Sequence, residues 1–300
     1  MHAIFGTVAS DLANVPAGAV QFSPLYPGSS ALDEQADGSL ASITMLAPGG
    51  VIERRYWIAH ALRSLMSEAP FAFLAPNKRG GTRLYDELLG FGCASDDASR
   101  HHHRIFRGLR PNLLSGLEEA MSAGAPRFID SLGLWSQPGI FNWDRIDPGS
   151  ALLIEHLPSL SGRGADLGCG FGVLARAVLA QSSVQHMTLI DIDRRAVVAA
   201  RRNIDAARST VLWADATTLK ALPAGLDFVI MNPPFHDGGI EDQNLGRAFI
   251  AKSADMLRPG GLCLLVANRH LPYEAALKPL FKEVTQVVQA NGFKIYAAQK

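Results

Sequence analysis

The sequence has few cysteines, no excess of charge of either sign and no long hydrophobic run. Its three cysteines, Cys93, Cys169 and Cys263, are widely spaced, which suits a reducing compartment and fits neither a disulfide framework nor a zinc site. No stretch reaches the roughly 18 apolar residues of a membrane span, and the first residues lack the charged and apolar regions of a leader peptide. We therefore expect a cytoplasmic monomer with no membrane association and no bound metal.

The charge balance also limits how a polyanionic partner is held. Lys plus Arg and Asp plus Glu both number 28, so such a partner needs a local basic patch. A hydrophobic fraction of 48% with 19% charged residues predicts a folded protein with a substantial core. At 300 residues, and about 150 residues per domain, we expect two domains.

The second half of the chain alternates short apolar runs with helical patterns, which is typical of βα units on a largely parallel sheet. Ser150 is the expected cap of the first helix. The predicted strands are 163–168, 187–193, 210–215, 226–232 and 262–268, and the predicted helices are 151–157, 173–180, 194–207 and one ending at 256–261. Sheets of this kind bind ligands beyond the carboxyl ends of their strands, so the polar residues just after each run are the candidate site.

The first half repeats part of this order without the polar residues. Residues 43–81 can be laid beside 230–270, which puts Leu46 where the second copy has Asn232, and no glycine-rich loop precedes Leu46. The predicted fold class is α/β with tandem Rossmann-like domains. Residues 1–125 are the expected degenerate copy, and residues 126–300 the doubly wound catalytic domain.

A glycine-rich loop, A-D-L-G-C-G-F-G, follows the first strand of the second half. Gly168, Gly170 and Gly172 allow a tight turn into a helix and let a ligand approach the backbone. A dinucleotide-binding loop would have its third glycine at Val173, so the spacing argues against a dehydrogenase. Asp166, ahead of the glycines, suits a ligand with an ammonium group and no phosphate, such as S-adenosylmethionine.

Acidic residues end the next two strands. Asp191 lies about 20 residues beyond the glycines, at the spacing from which a carboxylate accepts hydrogen bonds from both ribose hydroxyls, with Asp193 as the second candidate. Asp215 ends the following strand and is placed to accept a hydrogen bond from an adenine amino group. Each acid alone is a common helix cap, but their succession predicts a nucleoside pocket.

The fourth strand ends in N-P-P-F, residues Asn232, Pro233, Pro234 and Phe235. The lone pair of an exocyclic amine is delocalised into its ring, so the amine is a poor nucleophile. The Asn232 side-chain oxygen and the Pro233 carbonyl can each accept a hydrogen bond from this amine. Two such bonds favour a pyramidal nitrogen whose lone pair points at the methyl donor. The prolines stiffen the segment, and Phe235 offers a face on which a planar base stacks. His236 and Asp237 are candidate proton shuttles.

These motifs resemble the class I S-adenosylmethionine-dependent methyltransferases that act on amino nitrogens. More narrowly, residues 138–153, 232–238, 266–273 and 292–296 resemble the bacterial ribosomal RNA guanine 2-amino methyltransferases of the small-subunit type. The resemblance covers about 165 residues with specific motifs, whereas over the first half it rests mainly on A-P-N-K-R-G-G. It implies a silent first domain that serves RNA binding or stability. It also implies that 138–153 folds over the cofactor, with Phe141 and Gly149 near it.

One dense basic run is the candidate RNA contact. Its arginines are about a helical turn apart and could track phosphates, and the same run can be a solvated face. The candidates are Arg100, Arg104, Arg107 and Arg110, joined by Lys78 and Arg79. The intervening His101, His102 and His103 cannot all face one metal from a regular strand or helix.

The favoured substrate is a guanine in ribosomal RNA or a ribosomal subunit, unpaired or flipped out of its stack. A protein glutamine methyltransferase stays open, because a side-chain amide also offers two protons to Asn232. A large-subunit RNA target is another alternative. From a different class, the chain could be a catalytically silent RNA-binding or assembly factor with a relic pocket.

Overall fold

A computed structural model divides the chain into two compact units, unit 1 (Met1–Pro126) and unit 2 (Arg127–Lys300). It describes residues 1–219, 221, 223–234, 236–237, 240–241 and 243–300, with the backbone alone at 236, 237, 240, 241 and 243. Phe235, a candidate catalytic residue, lies outside the described residues, as do the side chains of His236 and Asp237. In the described ranges, no helix is long and apolar enough to cross a membrane.

Unit 1 is a six-stranded mixed sheet with three helices. Its elements are β1 (His2–Phe5), β2 (Val20–Gln21), β3 (Ser42–Leu46), α1 (Val51–Ser64), β4 (Pro70–Pro76), α2 (Gly81–Gly90), β5 (Asp96–Arg100), β6 (His103–Leu109) and α3 (Leu117–Gly124). The strand order is β2-β1-β3-β4-β6-β5, with β6 and β5 antiparallel to their neighbours. Helix α1 supplies much of the core, since its Trp57, Ile58 and Leu62 are at most 1% exposed.

Unit 2 is built around a seven-stranded mixed sheet. Its elements are β7 (Arg127–Ile129), β8 (Leu134–Ser136), α4 (Pro148–Glu155), β9 (Gly162–Leu167), α5 (Val173–Leu179), β10 (Val184–Asp191), α6 (Arg194–Asn203), β11 (Ser209–Trp213), β12 (Leu226–Met231), β13 (His236–Asp237), β14 (Ile240–Glu241), α7 (Gln243–Met256), β15 (Leu257–Asn268), α8 (Glu274–Leu277), β16 (Glu283–Ala290) and β17 (Phe293–Gln299). The order is β11-β10-β9-β12-β15-β17-β16, and neighbouring strands of this sheet are parallel except that β17 is antiparallel to both β15 and β16.

Hydrophobic clusters cover both faces of the unit 2 sheet, which explains why its central strands are apolar without alternation. Val229 and Met231 of β12 pack into the cluster that contains α7, whereas Phe228 and Ile230 pack into the one that contains α4 and α5. Side chains alternate between the faces of a strand, so Asn232, the next even-numbered residue, is directed to the α4 and α5 side.

The two units share one strand order. Strands β2, β1, β3, β4, β6 and β5 of unit 1 follow the sequence of β10, β9, β12, β15, β17 and β16 in unit 2. The predicted fold class, α/β with tandem Rossmann-like sheets, is confirmed. Unit 1 has no described strand at the position of β11, and its β1 leads into a loop where β9 leads into α5.

Three predictions of local structure were wrong. Helix α4 begins two residues before Ser150, and its N-cap is Asp147, whose side chain accepts a hydrogen bond from the Ser150 backbone N–H. Helix α6 ends at Asn203, so the predicted 194–207 helix is four residues too long. The basic run at 100–110 is a hairpin of β5 and β6, in which His101 and His102 form the turn with φ of 45° and 62°. A two-residue turn with positive φ at both positions matches the right-handed twist of the two strands that it joins.

Candidate active site

A pocket opens where the carboxyl ends of β9 and β12 meet the segment before α4. From the glycine loop it is lined by Gly168 and Gly170, from the end of β12 by Asn232, and from the segment before α4 by Phe141 and Asp147, among others. The glycine loop and the N-P-P segment were predicted to form one site, and they lie at one pocket.

The glycine loop turns the chain sharply into α5 through backbone conformations that favour glycine. Gly168, Gly170 and Gly172 have φ of 71°, 53° and 92°. A Cβ on Gly170 would meet no heavy atom within 4 Å, whereas one on Gly172 would lie 3.1 Å from the Ile204 side chain. Gly170 therefore leaves open space for a ligand at the backbone, and Gly172 allows close packing under α5.

Asp166 is a fully buried acid beneath this loop, with 0% exposure. Neither of its carboxylate oxygens makes a hydrogen bond of good geometry to a described residue. Burial, and secondarily the charge of Asp191, raises the pKa of Asp166 to about 8, and the nearby Ala175 backbone N–H offsets only part of this rise. An unpaired buried acid is costly for the fold, so a cationic partner would relieve that cost.

Asp191 ends β10 and fixes the glycine loop. Its Oδ2 accepts a hydrogen bond from the Gly170 N–H at 2.8 Å, and its Oδ1 accepts one from the Asp193 N–H at 2.8 Å. Burial, and then the Asp193 charge, raises the pKa of Asp191 to about 6. Asp193, the second candidate for the ribose, instead caps α6 and pairs with the buried Arg195 guanidinium, at 2.8 Å between Oδ2 and Nη2. Asp193 therefore has a structural role.

Asp215 follows β11 and closes a turn. Its Oδ1 accepts hydrogen bonds from the Thr217 N–H at 2.8 Å and the Thr217 hydroxyl at 2.7 Å. The expected hydrogen bond to an adenine amino group must therefore use the other oxygen or share this one.

Asn232 is held by the segment before α4. Its Nδ2 donates to Asp147 Oδ2 at 2.9 Å and to Ser150 Oγ at 3.0 Å. Pro234 lies close to the glycine loop, because a Cβ built on Gly168 would be 3.8 Å from Pro234 Cδ. The first three residues of N-P-P-F thus extend directly beside the glycine turn.

Sequence reasoning missed Asp147 and Ser150 as site residues. Asp followed by Pro is a common start of a helix, with Asp as the N-cap and Pro at the first helical position, and this signal was present at 147–148. Phe141 lines the pocket and is 64% exposed. Gly149 has a packing reason instead, because a Cβ there would lie 2.9 Å from the Phe293 ring.

Unit 1 presents the same strand ends without these polar groups. Strands β1 and β3 of unit 1 correspond to β9 and β12 of unit 2. Ile4 of β1 pairs with Thr44 of β3, and Asp166 of β9 pairs with Ile230 of β12, so Ile4 occupies the position of Asp166. By the same register, Ser23 replaces Asp191 and Leu46 replaces Asn232. The carbonyls after Leu46, on Pro48 and Gly49, accept hydrogen bonds from Arg54 Nη1 at 3.1 and 2.8 Å.

Three of the six predicted RNA contacts have partners in unit 1. Arg104 pairs with Asp97, Arg107 donates to the Leu12 carbonyl at 3.0 Å, and Arg110 donates to the Pro111 carbonyl at 2.9 Å. Because successive residues of a strand face opposite sides, Arg104 and Arg107 of β6 point away from each other. The expected helical stripe of arginines is therefore wrong. Lys78, Arg79 and Arg100 are exposed.

Comparison with known proteins agrees with this geometry. The family model described as the methyltransferase small domain matches residues 131–297. The ribosomal RNA small subunit methyltransferase C of Pseudomonas paraeruginosa is 30% identical over 293 residues, covering 93% of this chain and 86% of that protein. Its Shewanella amazonensis namesake is 30% identical over 82% of this chain and 73% of its own length. The chain belongs to the class I S-adenosylmethionine-dependent methyltransferases.

One further relative aligns over a shorter span, and a solved structure matches most of the chain. The namesake from Shewanella sp. strain MR-4 is 36% identical over 162 residues, which is 54% of this chain and 47% of that protein. A T. thermophilus 16S rRNA N2 methyltransferase, solved in complex with AdoMet and guanosine, superposes with a TM-score of 0.75. It is 24% identical and the match covers 90% of this chain and 76% of that one, which establishes the fold of this methyltransferase.

Proposed function

We propose that this methyltransferase transfers a methyl group from S-adenosylmethionine to the exocyclic 2-amino group of a guanine in small-subunit ribosomal RNA. The observation that carries the proposal is that Asn232 lines the same pocket as Gly168 and Gly170. The names of the relatives and the guanosine in the T. thermophilus complex support the choice of substrate. A ribosomal substrate also implies a cytoplasmic enzyme.

Residues that line the pocket, together with acids of the neighbouring strands that do not line it, fit the cofactor. The buried, unpaired Asp166 carboxyl suits the ammonium group, and the open backbone at Gly170 suits close contact with the methionine portion. Asp191 is the proposed ribose ligand and Asp215 the proposed adenine contact, while Phe141 covers the pocket from the segment before α4. Gly172 acts through the shape of the loop.

S-adenosylmethionine supplies an electrophilic methyl group on its sulfonium. Asn232 Oδ1 and the Pro233 carbonyl each accept a hydrogen bond from the guanine 2-amino group. These two hydrogen bonds direct the nitrogen lone pair to the methyl carbon. When bound, S-adenosylmethionine would supply the methyl group and leave as S-adenosylhomocysteine, and the proton lost by the methylated, more acidic nitrogen would pass to water. Pro233 and Pro234 keep the acceptors fixed. Phe235 is the proposed stacking face for the base.

Access and RNA binding follow from the same chemistry. A guanine stacked and paired inside a duplex cannot enter the pocket, so the target is unpaired or flipped out. The exposed Lys78, Arg79 and Arg100 are the proposed phosphate contacts from unit 1.

The proposal is tested by mapping methylated guanines in ribosomal RNA from cells with and without the gene. We expect one 2-amino methyl mark of the small subunit to be missing without the gene and restored by the wild-type chain. A chain with Asn232→Ala should not restore the mark. In vitro it should lose about 100-fold or more in turnover and keep its S-adenosylmethionine Kd within a few fold, because Asn232 acts in the transition state. If cells without the gene keep all methyl marks in ribosomal RNA but lose methylglutamine from a release factor, the proposed RNA substrate is wrong.

A further inference from the structure

Asp147 accepts hydrogen bonds from two side chains and one backbone N–H at the rim of the pocket. Its Oδ1 accepts a hydrogen bond from Asn142 Nδ2 at 2.9 Å. Its Oδ2 accepts one from the Ser150 backbone N–H at 2.9 Å and one from Asn232 Nδ2 at 2.9 Å. The last bond crosses 85 positions of sequence, from the segment before α4 to the end of β12. One carboxylate therefore caps a helix and also holds the proposed catalytic amide.

The polarity of these bonds determines how the Asn232 amide is oriented. A carboxylate can only accept hydrogen bonds, so the NH₂ group of Asn232, and not its oxygen, must face Asp147. Ser150 Oγ lies 3.0 Å from the same nitrogen and accepts its second hydrogen. With both hydrogens engaged, the side chain has only its oxygen left for a substrate, and that oxygen is an acceptor.

We propose that Asp147 is a positioning residue that, with Ser150, makes Asn232 an acceptor only. The inference rests on the proposed function and adds a basis for specificity. An amine can donate a hydrogen bond to Asn232 Oδ1. A carbonyl oxygen or an unprotonated ring nitrogen at the same place is itself an acceptor, so it would form no hydrogen bond with Oδ1 and would be repelled by it. Without Asp147 the amide could turn over and present its NH₂ group to the amine, donor against donor.

The capping and positioning roles can be separated by mutation. Serine is as good an N-cap as aspartate, so Asp147→Ser keeps an acceptor for the Ser150 N–H but has a shorter side chain and no charge to hold Asn232. We expect Asp147→Ser to lower kcat about 10- to 100-fold, while the S-adenosylmethionine Kd and Tm change little. Ser150→Ala removes only the second acceptor and should cost less. A cofactor Kd raised tenfold with kcat unchanged would overturn the proposal.

A reciprocal exchange tests the polarity itself. Asn232→Asp places two carboxylates in contact, which repel each other, and it should be nearly inactive. Adding Asp147→Asn restores a donor and acceptor pair of opposite polarity and still leaves a carboxylate oxygen facing the amine. We expect the double variant to exceed Asn232→Asp alone in kcat by at least about tenfold, as coupled neighbours do in a double-mutant cycle. No gain in the double variant would count against the inference.

A readout without substrate separates this inference from the proposed function. The side-chain amide signal of Asn232 in a ¹⁵N spectrum, assigned by its loss in Asn232→Ala, should be protected from hydrogen exchange in the wild type and lose that protection in Asp147→Ser. If the wild type methylates no ribosomal RNA, the proposed function fails, and the amide signal still decides the role of Asp147. If Asp147→Ser keeps both wild-type kcat and amide protection, the inference fails alone.

Discussion

At the scale of single residues, Asp166 is the clearest case of stability given up for binding. It is fully buried, and the described residues leave its carboxylate oxygens without hydrogen bonds of good geometry. Its raised pKa of about 8 means that the ligand-free fold holds a proton there at neutral pH and loses stability as the pH rises from about 4 to about 8. A cationic ligand favours the ionised form, so binding must displace that proton.

This linkage gives a prediction for cofactor affinity. Between pH 6.5 and 7.5 the affinity for S-adenosylmethionine should rise about eightfold, because the ionised fraction of a group with a pKa of about 8 rises by that factor. Titration calorimetry in buffers of different ionisation enthalpy should detect proton release on binding. The range stops at 7.5 because the cofactor's own amino group titrates near 8.

Two variants complete the measurement. Asp166→Asn should bind more weakly and lose the pH dependence. Asp227→Asn is the matched control, since Asp227 lies at the opposite end of β12 and pairs with Arg258 at 2.7 Å, and it should keep the dependence. A flat wild-type profile would show that Asp166 does not meet the ammonium group.

At the scale of elements, the loop after β3 in unit 1 is fastened by a buried ion pair. Arg54 of α1 is 0% exposed and binds Glu87 of α2 through two hydrogen bonds, of 2.7 Å from Nε and 2.6 Å from Nη2. The same guanidinium holds the carbonyls of Pro48 and Gly49. These carbonyls follow β3, the unit 1 counterpart of β12, which in unit 2 is followed by N-P-P. In unit 1 the Arg54 guanidinium therefore already binds the backbone at this edge of the sheet.

Removal of one partner tests this account. Arg54→Met leaves Glu87 buried without its cation and should lower the free energy of unfolding of unit 1 by about 3 to 5 kcal/mol. Adding Glu87→Leu should recover part of the loss, because it removes the uncompensated charge. Denaturant unfolding measures both variants, and cofactor binding in unit 2 should be unchanged. A loss under about 1 kcal/mol for Arg54→Met would contradict a buried, fully engaged pair.

The basic run at 100–110 shows how an element can be mistaken from sequence. Arginines three residues apart fit one face of a helix, but Ile105 and Phe106 are buried in a β-strand and leave the flanking arginines on different sides. Strand pairing with β4 and β5 decided this, and such pairing is not local in sequence.

At the scale of the whole molecule, two sheets of one strand order differ in their polar groups. Unit 2 carries Asp166, Asp191 and Asn232 where unit 1 carries Ile4, Ser23 and Leu46. We therefore expect titration calorimetry to give one S-adenosylmethionine per chain. Asp166→Asn should weaken that single site, and no residual tight binding should remain. A stoichiometry of two would contradict the view of unit 1 as a silent copy.

The sequence by itself determined the fold class, the glycine loop, the acidic strand ends and the family. These depend on local patterns: apolar runs buried on both faces, glycines at positive φ, and polar residues directly after strands. Only the tertiary structure decided that Asp147 holds Asn232, 85 positions away, and that Arg107 of the basic run donates to the Leu12 carbonyl, 95 positions away. Hydrogen bonds between residues far apart in sequence depend on how strands pair and helices pack, and no local pattern specifies them.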